Sequence, residues 1–222
     1  MQLVVFDFCE TLVNFQSGDR FVDFIIEKEN YHKYKWVDYL NKILVKTRVL
    51  AVVSKFLPEL NPSKRMKLFQ VKGISNEKVS QYANEFYEQK VMPNLIPPIY
   101  ELLQSHLKNG DYVLVSSGGY APYIKIFSEK HGIKNYFATE MASASNQLTG
   151  HFFGKDCLYA QKVVLLENYL KQNPITYTKS IVYSDSPSDL PLMKWADEGI
   201  VISKNKSQPW AAKYGLKEII HQ

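Results

Sequence analysis

Three apolar runs in this chain end abruptly in residues that carry charge or hydrogen-bonding capacity. Leu3-Val4-Val5-Phe6 leads into Asp7, followed by Phe8-Cys9-Glu10-Thr11-Leu12. Tyr112-Val113-Leu114-Val115 leads into Ser116-Ser117-Gly118-Gly119, and Ser180-Ile181-Val182-Tyr183 into Ser184-Asp185-Ser186-Pro187-Ser188-Asp189. A buried strand that delivers a carboxylate to its carboxyl end places a nucleophile or metal ligand at the rim of a sheet, where open α/β folds bind ligands. Hydroxyls and glycines at a second strand end offer O–H and backbone N–H groups to an anion. Asp185 and Asp189 put two carboxylates in one Ser/Pro loop, and Lys162 supplies a candidate cation.

Those strand ends need a sheet to hold them. From about Asp19 to Lys90 the pattern is helical, with no convincing strand. Trp36, Leu40, Ile43, Leu44, Thr47, Leu50 and Ala51 recur at three- and four-residue intervals and predict one apolar stripe. Asn61-Pro62-Ser63 reads as a break before a short basic helix, and Ser75-Asn76-Glu77 as the start of another that runs to about Lys90. Near Pro93 a helix carrying Ile99, Leu102, Leu103 and Leu107 begins, ended by Asn109-Gly110. Residues 112–115 then read as a strand, about 120–130 as a helix and 136–139 as a short strand. Gln147 to Phe153 alternates like part of a hairpin, and about 156–172 reads as a helix. Strands over 181–184 and 199–202 flank a short helix after Asp189. Strands alternating with helices imply a parallel sheet with right-handed crossovers: an α/β, Rossmann-like three-layer core with an inserted α-helical bundle.

The 222 residues suit one core domain plus an insertion, and 45% hydrophobic content supports a sizeable core rather than disorder. Apolar runs such as Val49-Leu50-Ala51-Val52-Val53 are far shorter than the roughly 20 residues of a membrane span. The first apolar run is short and leads straight into Asp7, unlike a signal peptide, so the cytoplasm is the expected location. Two cysteines make neither a disulfide framework nor a cysteine-rich zinc site, and Cys157 reads as a small buried hydrophobe. The net charge of +5 lies wholly between Asn14 and Leu95, where 14 basic residues face 9 acidic ones. Within Tyr31-His32-Lys33-Tyr34-Lys35-Trp36, the basic residues read first as a solvated helix face. A second reading is that some of them, with Arg48, Arg65 or Lys72, steer an anionic substrate. No nucleic-acid-reading module is present, and neither specific nucleic acid nor a membrane is expected as a partner.

Taken in order, the motifs resemble the haloacid dehalogenase superfamily in its phosphoserine-phosphatase-like branch. The family's opening Asp-x-Asp-x-Thr-Leu is similar to Asp7-Phe8-Cys9-Glu10-Thr11-Leu12, with Cys9 in place of the second Asp. A strand ending in Ser is matched by Val115-Ser116-Ser117-Gly118, and a Lys opening a helix after a Cys by Cys157-Leu158-Tyr159-Ala160-Gln161-Lys162. Ala138-Thr139-Glu140, Leu148-Thr149-Gly150 and the closing Asp185-Ser186-Pro187-Ser188-Asp189 fit the same branch.

The resemblance implies a catalytic core of residues 1–13 and 93–222 and a helical cap of residues 14–92 that closes over the cleft. It implies Mg2+-dependent hydrolysis of a small phosphorylated metabolite through an aspartyl-phosphate on Asp7. Asp7, the backbone carbonyl of Cys9 and Asp185 would hold the metal, with Asp189 behind them. Ser116, Ser117, Gly118 and Lys162 would take the phosphoryl oxygens. Cys9 is the departure, because the Asp usually found there is the acid and base of the reaction. A thiol, with an ordinary pKa of about 8.5, is a poorer proton relay, and acid–base catalysis is commonly worth about 10²–10⁴-fold. The expectation is therefore a slow or atypical phosphatase, the alternatives being a phosphotransferase or a phospho-ligand binding module. Glu10 is adjacent, but the next residue of an extended segment points elsewhere. Redox control through Cys9 is not expected, since neighbouring carboxylates raise a thiol's pKa.

Overall fold

A computed structural model describes residues 1–47 and 60–222. Its centre is β1 (Leu3–Phe6), four residues that are all buried because both faces of the strand are covered. Val4 and Phe6 point into one apolar cluster and Leu3 and Val5 into the other, the two-residue alternation of a strand inside a three-layer fold. The remaining strands are β2 (Tyr112–Tyr120), β3 (Asn135–Ala144), β4 (Gln147–Phe153), β5 (Ser180–Ser184), β6 (Glu198–Lys204) and β7 (Lys217–His221). Their order in the sheet is β4-β3-β2-β1-β5-β6-β7, parallel except for the β3–β4 hairpin. Ser145 and Asn146 make that hairpin's turn with positive φ at both positions, the geometry that suits twisted strands.

Register carries the functional consequence. Phe6 pairs with Val115 on one side and Tyr183 on the other. One residue further on, Asp7, Ser116 and Ser184 therefore stand level on three adjacent strands, where β1 and β5 end and β2 runs on.

Between β1 and β2 the chain forms α1 (Ser17–Glu29), α2 (Lys35–Lys46), α3 (Pro62–Phe69) and α4 (Asn76–Phe86). A π-helical turn, Tyr87–Val91, and a 3-10 turn, Met92–Asn94, lead back to the sheet. The outgoing and returning connections lie side by side: Asn14 N donates to Asn94 O at 3.0 Å and Ile96 N to Leu12 O at 2.9 Å. The inserted helices share the core's apolar cluster. Phe21 and Phe86 sit 5.0 and 5.1 Å from the Tyr123 ring, and Phe8 is 5.0 Å from Phe127. Each buried ring is worth about 1.5–3 kcal/mol, so α1 and α4 are fixed to the core by several such contributions.

Helix α5 (Pro97–Lys108) precedes β2, and after it come α6 (Ala121–Lys130), α7 (Ala160–Gln172), α8 (Leu190–Trp195) and α9 (Pro209–Lys213). The short strand expected over 136–139 runs through Asn135–Ala144, and the structure departs from the sequence reading elsewhere too. The strand expected over 112–115 continues to Tyr120, with a register shift after Ser116, so the Ser-Ser-Gly-Gly run is itself strand. The helix expected from Asp156 starts at Ala160, because Tyr159 adopts a positive φ and breaks the turn. The last strand, β7, has no clean alternation to announce it. Finally, the stripe on α2 does not become core: Val37 is the buried residue, while Trp36 and Tyr39 are 61% and 69% exposed and Leu40 and Ile43 are also exposed. The helix turns its Val37 side inward, and Asn41 accepts a hydrogen bond from Ser63 of α3. Leu50 and Ala51 lie outside the described residues. Among the described residues, no helix is long and apolar enough to cross a membrane.

Candidate active site

A cleft of about 310 Å³ opens at the strand ends, lined by Asp7, Cys9, Gly118, Lys162, Asp185 and Asp189 together with Lys64 and Asn61 of the insertion. Lys162, on the first turn of α7, is 1% exposed. Its ammonium donates to Asp7 Oδ1 at 2.7 Å and to Asp189 Oδ2 at 2.6 Å. Ser184 Oγ also donates to Asp189 Oδ2, at 2.7 Å, while Asp189 Oδ1 is buried with no partner among the described residues. Burial works against the charge of Lys162, but Asp189 and Asp7 outweigh it and hold the ammonium well above its ordinary pKa.

Asp7 and Asp185 are bridged by one hydroxyl. Thr11 Oγ1 lies 3.3 Å from Asp7 Oδ2 and 3.1 Å from Asp185 Oδ1, and it accepts from the Asp185 backbone N–H at 3.0 Å. Burial pushes Asp7 up to about 6 in spite of Lys162. Burial, then the charge of Asp7, pushes Asp185 up to about 8. Two carboxylates share this corner, and the nearby ammonium is committed to Asp7 and Asp189.

Ser116 and Ser117 are buried and lie outside the lining of the cleft. Ser116 Oγ is 3.9 Å from Cys157 Sγ, and Ser117 Oγ accepts from Gly119 N at 2.9 Å, which shapes the strand end. Gly118 leaves room for Leu158, whose side chain a Cβ there would approach to 2.5 Å and push aside. Cys157 is fully buried, and burial raises its thiol to about 12.

Cys9 is half-buried, with Sγ 3.0 Å from Ser17 Oγ; Ser17 Oγ is in turn 2.7 Å from the Tyr123 hydroxyl. Burial, then Asp7, raises the thiol's pKa, which disfavours the reactive thiolate. Glu10 is exposed at a positive φ that turns the chain after Cys9. Of the basic residues considered as steering groups, Arg65 and Lys72 lie over the rings of Phe152 and Phe69. Lys33 and Lys35 face solvent, and Arg48 lies outside the described residues.

The sequence reading passed over Lys64, Asn61, Thr11, Ser17 and Asp156. Thr11 and Thr139 were inside quoted motifs but had no role. Lys64 had no signal beyond membership of a basic helix, since its partners are 54, 75 and 92 positions away in the chain.

The haloacid dehalogenase-like hydrolase family matches residues 4–194, a span that contains every residue of this cleft. The chain belongs to that family. As a haloacid dehalogenase-like hydrolase it is 26% identical, over 95% of its length and 94% of the other, to the histidinol-phosphatase of Neisseria meningitidis serogroup C (strain 8013). Its fold resembles a protein of unknown function from Bordetella pertussis Tohama I with a TM-score of 0.81, at 20% identity and 98% and 97% coverage. It also resembles a phospho-aspartyl intermediate analogue of phosphoserine phosphatase, with a TM-score of 0.64, 22% identity and 99% and 93% coverage.

Proposed function

We propose that this hydrolase cleaves small phosphate monoesters through a phosphoenzyme on Asp7. The observation that carries the reading is the buried Lys162 ammonium held between Asp7 and Asp189 at the level where the adjacent parallel strands β1 and β5 end. Asp7 would attack phosphorus in line, forming a carboxyl oxygen–phosphorus bond as the ester oxygen leaves and takes up a proton. Water would then cleave the acyl phosphate and release inorganic phosphate. Lys162 neutralises the phosphoryl oxygens, and the backbone around Ser117 and Gly118 would supply further donors, which Ser116 would join only by turning its hydroxyl from Cys157 into the cleft. The helices of residues 14–92 would act as the cap over the 310 Å³ cleft, whose size suits a small metabolite.

The donor set fits Mg2+. It is all oxygen, as a hard cation requires; Asp7 and Asp185 repel each other in a buried corner, and Asp189 Oδ1 is a buried acceptor without a partner among the described residues. Asp7, the carbonyl of Cys9 and Asp185 would hold the ion, with Asp189 behind them. Bound there, it would offset the repulsion between the nucleophile and a phosphate dianion.

At position 9 the thiol already hydrogen-bonds to Ser17, and the acid–base step is accordingly slow. That same observation supports the second reading, transfer of the phosphoryl group to an alcohol, or binding without turnover. The test is phosphate release with Mg2+ from histidinol phosphate, phosphoserine, sugar phosphates and p-nitrophenyl phosphate by the native chain, Asp7→Asn and Cys9→Asp. Native turnover lost in Asp7→Asn supports hydrolysis. Turnover only in Cys9→Asp supports the second reading, and turnover in neither refutes the phosphoenzyme. A cytoplasmic location is part of this proposal, and fractionation of the expressing cells tests it.

A further inference from the structure

We propose that Lys64 is a positioning residue: it ties α3 of the insertion to both arms of the phosphate site, so that the site is ordered only while the insertion is seated. Its ammonium reaches three core acceptors at once. These are the carbonyl of Gly118 at the end of β2, Thr139 Oγ1 of β3 at 2.9 Å, and a carboxylate oxygen of Asp156 in the loop before α7. Asn61, at the start of α3, donates to the other oxygen of Asp156 at 3.1 Å. The insertion therefore grips one core carboxylate with two side chains.

The core acceptors are already joined to each other. Thr139 Oγ1 donates to Asp156 and accepts from the backbone N–H of Cys157 at 3.3 Å. Gly118 follows Ser116 and Ser117, and the loop from Asp156 through Leu158 leads to Lys162. Leu158 packs where a Cβ on Gly118 would be. One cation from the insertion thus fixes the distance between the strand end that offers hydroxyls and amides and the loop that delivers the ammonium of Lys162.

The surroundings make this contact one that closes or opens as a unit. Asp156 is 7% exposed, and among the described residues Lys64 is the cation paired with it. The ammonium also lies 5.2 and 5.1 Å from the ring centres of Tyr120 and Phe152. Lifting α3 away would leave a buried carboxylate without a counter-charge and the Gly118 carbonyl without this donor. Partial disengagement is therefore costly. Lys64 also lines the cleft, so a ligand entering beside it meets the contact directly.

The effect on turnover rests on the phosphatase reading, whereas the contact itself does not, and the two are tested apart. Amide exchange over Pro62–Phe69 would be measured in the native protein, Lys64→Met and the double variant Lys64→Met/Asp156→Asn, alongside thermal midpoints and hydrolysis of p-nitrophenyl phosphate with Mg2+. Lys64→Met is expected to speed exchange in α3 at least tenfold and to lower kcat by about 10²-fold, the loss that follows small misplacements of a site. The double variant removes the unpaired carboxylate, so its thermal midpoint recovers while kcat stays low. A purely structural lysine would let kcat recover with the midpoint, and that result would overturn the proposal. Unchanged exchange in α3 would overturn it as well. If the native chain releases no phosphate, the phosphatase reading falls and the exchange alone decides: faster in Lys64→Met upholds the contact, unchanged removes it.

Discussion

Two lysines, one fully and one mostly buried, grip aspartates in this protein, and they are held differently. Lys162 sits within the core between two carboxylates, Asp7 and Asp189, whose combined charge overrides burial and fixes its proton. Lys64 arrives from the insertion and meets one carboxylate, Asp156; there burial prevails and its pKa falls below the ordinary value. On the function proposed above, the difference separates a permanent part of the catalytic machinery from the contact proposed to be made and broken. Two buried counter-charges lock a lysine in place, whereas a single one, joined to neutral carbonyl and hydroxyl acceptors, leaves an exchangeable attachment.

The sharpest way to break this comparison is to remove the shared chemistry. Asp7→Asn is expected to lower phosphate release by at least about 10⁴-fold, to assay background, while the contact of Lys64 with Asp156 persists. Lys162→Met comes next, with a loss of about 10²–10³-fold in kcat from the missing donor to the phosphoryl group. It also leaves Asp7 and Asp189 buried without a cation, so denaturant unfolding should show about 3–5 kcal/mol of lost stability. Should Lys64→Met cost as much stability as Lys162→Met, the distinction between them would collapse.

A smaller effect comes from the carboxylates beside Lys162. In metal-free protein, Asp7 and Asp185 titrate at about 6 and about 8 instead of 3.8. Between pH 4 and 8 the folded chain therefore holds protons that the unfolded chain has released, and stability falls as pH rises through that window. In the proposed metal site Mg2+ would bind the ionised pair, so its stabilisation should be greater at pH 8 than at pH 5, about 2.7 kcal/mol at a hundred times its Kd. Thermal melts at both pH values with and without Mg2+ check this; equal stabilisation at both would argue against a cation between Asp7 and Asp185. Smallest of all, Ser75→Ala removes the hydroxyl that caps α4 by accepting from Lys78 N, and should cost about 1 kcal/mol with unchanged kcat.

Legibility in the sequence followed the same division. Asp7, Lys162, Asp185 and Asp189 could be picked out because each stands next to an apolar strand or opens a helix, so that local pattern and chemistry coincide. Cys9 was equally visible as a departure, but its hydrogen bond to Ser17 was not, because α1 has to fold back on β1 to make it. Ser116 and Ser117 were read from their position at a strand end, yet their hydroxyls turn to Cys157 and Gly119, since β2 continues through them instead of stopping. The stripe on α2 has helical periodicity, but periodicity states only that a face is apolar and not which neighbour, if any, covers it.

The sequence by itself determined the alternation of strands and helices, the place of the helical insertion and the carboxylates at the strand ends. All of these follow from residues within a few positions of one another, through apolar periodicity and turn chemistry. Tertiary structure alone decided that Phe6 pairs level with Val115 and Tyr183, that α1 and α4 join the core's apolar cluster, and that Lys64 reaches Asp156. Those outcomes depend on packing between segments far apart in the chain, where the free energy of burying rings and of pairing charges, and not local propensity, selects the partner.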